Sequence, residues 1–489
     1  MLMEKQIKNY LLLAVIIVLG LVLRLYRIDF PLADWHSWRQ VDTAGVTREF
    51  VKNGIDLLHP KYMDISSIPS GFANPEGYRM VEFPFINGLT AGIAQIIKQA
   101  GVSGGWTEIV RLERLVSVAF SLGAILGMYL LVKEILDERI ALISAAVMAF
   151  LPFNIYYSRV VLPEPKLLFF SVFSSWFCYR FIQKGKWPDW FLWIITGSLA
   201  TLLKPMWLLI FGPALIWAAI RIRRGGVFNF RWGLKFALGW VAVLTPFFLW
   251  RGWIAQFPSG IPASSWLYNA GGLRWRPAWF RWLLADRLGR LILGYWGMIP
   301  FGLGVITLSG KKEDWFFHWW LFGGLIYLSV FATGNVTHDY YQAILVPVIA
   351  VIVAKGLYLL WKPPAGISQL MARGSLVVIS VLTLGFSWFH VRDYFNINHP
   401  EIIEAGQAAD RILPADAKVV VPYGGDTAFL FQTNRLGWPV GGAIEDKISL
   451  GATHYVSVNF DEETKDLMDK CPSLLKTDRF VIIDLKDCK

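Results

Sequence analysis

Apolar residues gather along this chain into runs of membrane-spanning length, and charged residues collect in the stretches between them. A spanning helix takes about 20 mostly apolar residues. Segments 9–27, 112–132, 139–158, 166–183, 189–203, 205–222, 232–251, 289–309, 315–333, 340–361 and 373–390 meet that requirement, eleven in all. Lys5 and Lys8 precede the first run, "YLLLAVIIVLGLVLRLY", and no small-residue cleavage site follows it, so it reads as an uncleaved first helix. A twelfth run, "FPFINGLTAGIAQII" at 83–97, is short and interrupted by Pro84, Gly88 and Gly92, which leaves a span or an interfacial segment open.

Lys and Arg near helix ends mark cytoplasmic loops. With 83–97 not crossing, the inner loops are "VKEILDER", "QKGKW", "RIRRGG", "SGKKED" and "WKPP", all of which carry Lys or Arg. The N-terminus is then inside, and loops 28–111 and 252–288 and the tail after 391 are outside. In "WLYNAGGLRWRPAWFRWLL" Trp and Arg mix as they do at a membrane interface. The tail reads as a helix at "EIIEAGQAADRIL", strands at "AKVVVPYGG" and "HYVSVNF", a helix at "EETKDLMDKC" and a last strand at "FVIIDLK". The fold class is thus an α-helical polytopic membrane module over 1–390, with about eleven transmembrane helices, followed by a small α/β domain over 391–489.

Composition agrees with this reading. Of 489 residues 55% are hydrophobic and 17% charged, and the mean hydropathy is +0.46; soluble domains carry about 25% charged residues. The net charge of +11 is a topology signal from basic inner loops, so no nucleic-acid partner is implied. Three cysteines make no disulfide scaffold and have no metal-ligand spacing, but Cys471 and Cys488 could pair if the C-terminus faces an oxidising compartment.

On this topology the polar residues at membrane borders converge on the outer side. They are Asp34, His36, Arg39 and Asp42 of "DWHSWRQVDTAG", then Glu82, Arg159 and Glu164 of "YYSRVVLPEPK", Lys204 of "LATLLKPMWLLI", and His338, Asp339, Tyr340 and Tyr341 of "THDYYQAILVP". Ionisable groups at membrane depth are costly and tend to be functional. Each also has a plainer reading. Asp34 would cap a helix starting at Trp35, and Arg39 and Asp42 would form an i,i+3 ion pair. Arg159 and Lys204 would snorkel, Glu164 would suit a helix N-terminus, and His338 with the tyrosines would form an aromatic belt. Taken together they fit a sugar donor carried on a polyprenyl phosphate. Cations would hold the phosphate, and a carboxylate would deprotonate the acceptor hydroxyl.

These motifs, in this order and sidedness, resemble the GT-C glycosyltransferases over about 30–360, and most of all family 39, the protein O-mannosyltransferases and lipid A aminoarabinose transferases. The resemblance implies that Asp34 is the first-loop catalytic aspartate, with Asp42 as its rival, and that Glu164 is the second-loop acid. It implies donor-phosphate contacts from Arg39 and Lys204 and makes Glu82 the acid before the next segment's proline; from the border constellation itself, Arg159 is a further candidate for the donor phosphate, and His36, Glu82, His338, Tyr340 and Tyr341 are candidate substrate contacts. The family's adjacent acid pair is here Asp34-Trp35, and Phe83 follows Glu82 where a basic residue is frequent. No cofactor is required by the sequence; a divalent cation is compatible with it, and any metal ligands are unassigned.

The expected activity is transfer of a sugar, with inversion, from a polyprenyl-phosphate monosaccharide to a lipid, glycan or protein acceptor at the extracytoplasmic face of the plasma (inner) membrane. A ligase using a polyprenyl-diphosphate oligosaccharide and a lipid or sugar transporter are the alternatives. A transporter would show inverted repeats and midplane charges, and neither is seen in the sequence.

Overall fold

The computed structural model describes residues 2–101, 106–224, 230–308 and 312–488. Gly225 and Gly226 of the expected inner loop "RIRRGG", and Ser309 to Lys311 of "SGKKED", lie outside the described residues. The chain divides into two compact units. One comprises Met1–Ile28, Leu115–Arg251 and Ser264–Asp393; the other comprises Asp29–Arg114, Gly252–Ala263 and Tyr394–Lys489.

The first unit is helical, and the eleven expected segments are helical over most of their length. By length and hydropathy Gln6–Arg24, Glu108–Ile135, Phe230–Ile254, Asp339–Trp361 and the stretch Gln369–Ile412 qualify as membrane spans, while Trp207–Ile222 and Trp315–Val330 are shorter apolar helices. Prolines set several of the breaks, because the residue before proline is driven out of the helical region. Leu151 before Pro152 is extended at φ −61, ψ 119, and Lys204 before Pro205 is extended at φ −156, ψ 116. The first helix is fastened by fully buried Arg24, whose guanidinium donates to the carbonyls of Gly20 and Ala149, both at 2.9 Å. Each such bond satisfies a charge that would otherwise be stranded among apolar side chains.

The second unit contains the sheet. Strands β1 (Lys418–Val420), β2 (Leu436–Trp438), β3 (His454–Ser457), β4 (Ser473–Lys476) and β5 (Val481–Asp484) lie in the order β2-β1-β3-β5-β4. β1 is parallel to β2 and β3, and β5 is antiparallel to β3 and β4. The expected tail helices stand at Pro400–Ile412 and Glu462–Lys470. The first loop joins this sheet: Ile65 donates to Gly437 O at 3.0 Å, and Gly437 donates to Met63 O at 3.0 Å. Glycine is needed there, since a Cβ at Gly437 would run into the Val419 carbonyl. The run at 83–97 is the helix Phe85–Gln99. Its 15 residues fall short of the roughly 20 that cross a bilayer, and Leu89, Ile96 and Ile97 are exposed, as on an interfacial helix. Cys471 and Cys488 are joined by a disulfide.

Candidate active site

In the sheet-bearing unit the opening motif sits at the start of the helix Ser37–Asn53. The helix begins two residues later than the pattern predicts, and its N-cap is His36 with no side-chain cap bond. Asp34 is therefore not the helix cap. Its carboxylate accepts from Gln40 Nε2 at 2.7 Å and faces Arg114 Nη2 at 3.4 Å, with the Asp34 and Arg114 side chains fully enclosed. His36 takes up the turn in the left-handed region, at φ 55, ψ 36, which costs a non-glycine residue about 1–2 kcal/mol. Trp35 stacks on Tyr394 at 4.8 Å.

Arg39 and Asp42 do not pair with each other as their spacing predicts; each has an ion-pair partner from another segment. Arg39 Nη2 lies 2.6 Å from Glu82 Oε1. Asp42 Oδ2 lies 2.8 Å from Arg79 Nη2, and its Oδ1 accepts from Thr427 Oγ1 at 2.7 Å. Asp34, Asp42 and Glu82 thus each face a guanidinium. Two further carboxyls lie close by. Burial pushes Asp64 up to about 6, opposed by hydrogen bonds from Ser66 and reinforced by Asp42. Burial likewise raises Asp426 to about 6, opposed by the Ala428 amide and again reinforced by Asp42.

The helical unit holds the other predicted residues. Pro163 and Pro165 bracket Glu164 at the first turn of the helix Glu164–Lys184, and the break at Pro205 projects Lys204 from the end of Trp187–Leu203. The two side chains form a buried ion pair. The Lys204 ammonium also lies over the rings of Tyr340 and Tyr341, at 5.5 and 5.1 Å. These tyrosines stand on the 3₁₀ turn Asp339–Leu345, which buried Asp339 anchors by accepting from Tyr157. His338 stacks on Tyr340 and meets Trp266 edge to face. Fully buried Arg159 donates to the carbonyls of Tyr26 and Arg27, both at 2.7 Å, so it secures the end of the first helix.

Among the described residues no group of three His, Cys, Asp or Glu is assembled as cation ligands. With Asp34, Asp42 and Glu82 each matched to an arginine, the acids do not fit a divalent cation. Arg79, Arg114, Gln40 and Thr427 were not foreseen. Gln40 lies within "DWHSWRQVDTAG", and Arg114 is one of two arginines in "VRLERL" at the head of an apolar run.

Residues 111–250 match the family model of the dolichyl-phosphate-mannose-protein mannosyltransferases. ArnT from Cupriavidus metallidurans in the apo state is similar in structure, with a TM-score of 0.66 at 12% identity over 98% of each chain. The chain thus shares its fold with ArnT. ArnT bound to undecaprenyl phosphate gives a TM-score of 0.62 at 12% identity, over 97% of this chain and 98% of that one. The Archaeoglobus fulgidus oligosaccharyltransferase in the apo form gives 0.61 at 12% identity, over 92% of this chain and 69% of that one. No curated protein matches the chain significantly in sequence.

Proposed function

We propose that this chain is an integral membrane glycosyltransferase that moves a monosaccharide from a polyprenyl phosphate to an acceptor hydroxyl at the extracytoplasmic face of the plasma (inner) membrane. The observation that carries the reading is Lys204, a buried ammonium paired with Glu164 and lying over two tyrosine faces at a break between apolar helices. A lipid phosphate that displaces Glu164 from this cation gains charge-assisted hydrogen bonds to the ammonium, and buried Glu164 then takes up a proton or another donor in place of Lys204. The similarity to ArnT bound to undecaprenyl phosphate supports the donor class. The Cys471–Cys488 disulfide supports an oxidising location for the tail.

In the reaction the acceptor oxygen attacks the anomeric carbon as its proton passes to a carboxylate. The sugar–phosphate C–O bond breaks with inversion, and the electron pair leaves on the phosphate, whose charge Lys204 stabilises. Asp34 is the proposed base. Its carboxylate is enclosed, so the reading requires acceptor binding to turn Gln40 aside. Glu82, whose side chain keeps 17% exposure, is the acid that meets solvent first and is the alternative base. Asp42 is committed to Arg79 and Thr427 and is assigned to positioning, as is Arg159. His338, Tyr340 and Tyr341 are assigned to donor binding and His36 to acceptor binding.

A second reading, transfer of an oligosaccharide from a polyprenyl diphosphate, is favoured by the similarity to the oligosaccharyltransferase. Native mass spectrometry of the detergent-solubilised protein with undecaprenyl phosphate and undecaprenol tests the donor class. Retention of the phosphate over the neutral alcohol, lost in Lys204→Ala, is expected. Equal retention of both lipids would remove the phosphate site.

A further inference from the structure

The sheet-bearing unit contains a cavity that the proposed chemistry does not use. It holds about 180 Å³ and is lined by Phe30, Arg48, Gln407, Asp410, Gln432 and Asn434 among others. That is room for about six water molecules at the roughly 30 Å³ each occupies in the liquid, and less than the roughly 300–1,000 Å³ of pockets for drug-sized ligands. One sugar ring is therefore the scale of guest it admits.

The lining alternates hydrogen-bond character over a short distance. Arg48 is almost fully buried; it donates to Phe431 O at 2.7 Å, and its guanidinium lies 4.4 Å from the centre of the Phe431 ring. Burial pulls its pKa down to about 10, which leaves it charged at neutral pH. Asp410 answers it from the helix Pro400–Ile412, with one oxygen fixed by Arg435 Nη1 at 2.7 Å and Asn434 Nδ2 at 3.1 Å. Gln432 is oriented by donating to Leu32 O at 3.1 Å, and Gln407 reaches in from the open side. A cation and a carboxylate on one small cavity disfavour a simple anion, because Asp410 would repel what Arg48 attracts. Hydroxyls, which both donate and accept, satisfy guanidinium, carboxylate and amide together. Phe30 adds an apolar wall for a ring face.

We infer that this cavity is a carbohydrate subsite which binds one uncharged monosaccharide unit of a glycan acceptor. The inference rests on the glycosyltransferase reading for the word acceptor, and on the cavity alone for the word carbohydrate. It narrows the acceptor from lipid, glycan or protein to a molecule that presents a sugar.

Saturation-transfer NMR on the full-length protein in detergent tests it, with methyl glycosides of mannose, glucose, galactose and arabinofuranose as probes. At least one glycoside should receive saturation from the wild type, and Gln407→Trp, which fills the cavity from its exposed rim, should lose that transfer while keeping the melting temperature. Absence of transfer to all four would overturn the inference, and so would transfer that survives Gln407→Trp. Displacement of the glycoside by inorganic phosphate would make the cavity an anion site and overturn it equally. Undecaprenyl phosphate binding is read on the same samples. Donor retained with no glycoside bound removes only the subsite, whereas glycoside bound with no donor retained removes the proposed enzyme reading and leaves the subsite standing.

Discussion

The candidate site residues of the two units hold their charges in different ways. In the sheet-bearing unit, carboxylates face arginines: Asp34 with Arg114, Asp42 with Arg79 and Glu82 with Arg39. In the helical unit, Lys204 pairs with the Glu164 carboxylate and lies over two aromatic faces. A guanidinium fork fixes direction as well as charge, while an ammonium is a point charge on a flexible stem. The arginine pairs are accordingly suited to holding acids in place, and the lysine pair to exchanging one anion for another. On this difference rests the proposed division, with positioning and proton chemistry in the first group and phosphate binding in the second.

The sharpest test of that division is Asp34→Asn, which keeps the size and the oxygen that Gln40 contacts but removes the base. Turnover should fall by about 10²–10⁴-fold with undecaprenyl phosphate binding kept. If Asp34→Asn stays active and Glu82→Gln is inactive, the base is Glu82.

Next in size is Arg79→Met, which leaves Asp42 buried beside Asp64 and Asp426. Breaking one member of a buried pair costs about 3–5 kcal/mol. The variant should show early unfolding of the sheet-bearing unit by limited proteolysis, partly reversed in Arg79→Met with Asp42→Asn. A wild-type digestion pattern would mean that the pair is dispensable.

The raised carboxyls give a pH signature to the same unit. Asp64 and Asp426 hold their protons up to about 6 in the folded chain, against 3.8 ordinarily, so between those values the folded state binds more protons than the unfolded one. Their contribution to stability is complete below about 3.8 and is lost as pH rises through about 6, to an upper limit of about 3 kcal/mol for Asp64. Melting curves from pH 4 to 7 should therefore show Asp64→Asn gaining on the wild type as pH rises. A constant difference would show that Asp64 does not titrate there.

Lys204→Ala sits at the small end in energy, weakening undecaprenyl phosphate by about 1.5–3 kcal/mol, the range for hydrogen bonds to charged groups. Lys204→Arg should retain binding in part. Unchanged affinity in Lys204→Ala would reverse the assignment of exchangeable and fixed charges.

The helices were legible because long apolar runs admit little else, and the tail helices Pro400–Ile412 and Glu462–Lys470 because their polar and apolar faces repeat at helical spacing. β2 left no such trace, being Leu436–Trp438 with glycine at its centre. The pairing of Met63 and Ile65 with that glycine, which carries the first loop onto the tail's sheet, is a tertiary choice that no local pattern encodes. The acids were legible as types near a membrane border, but not their partners. Spacing nominated Arg39 for Asp42, whereas Arg79 and Thr427 claim it, since a buried carboxylate goes where several donors converge.

Release of polyprenyl phosphate measures the central claim most directly. The protein in lipid vesicles is given radiolabelled polyprenyl-phosphate monosaccharides, with envelope glycan as acceptor. The account predicts acceptor-dependent release from at least one such donor, with the label moving to the glycan, and its loss in Asp34→Asn. No release from any monosaccharide donor, together with consumption of a polyprenyl-diphosphate oligosaccharide by the same vesicles, would contradict it.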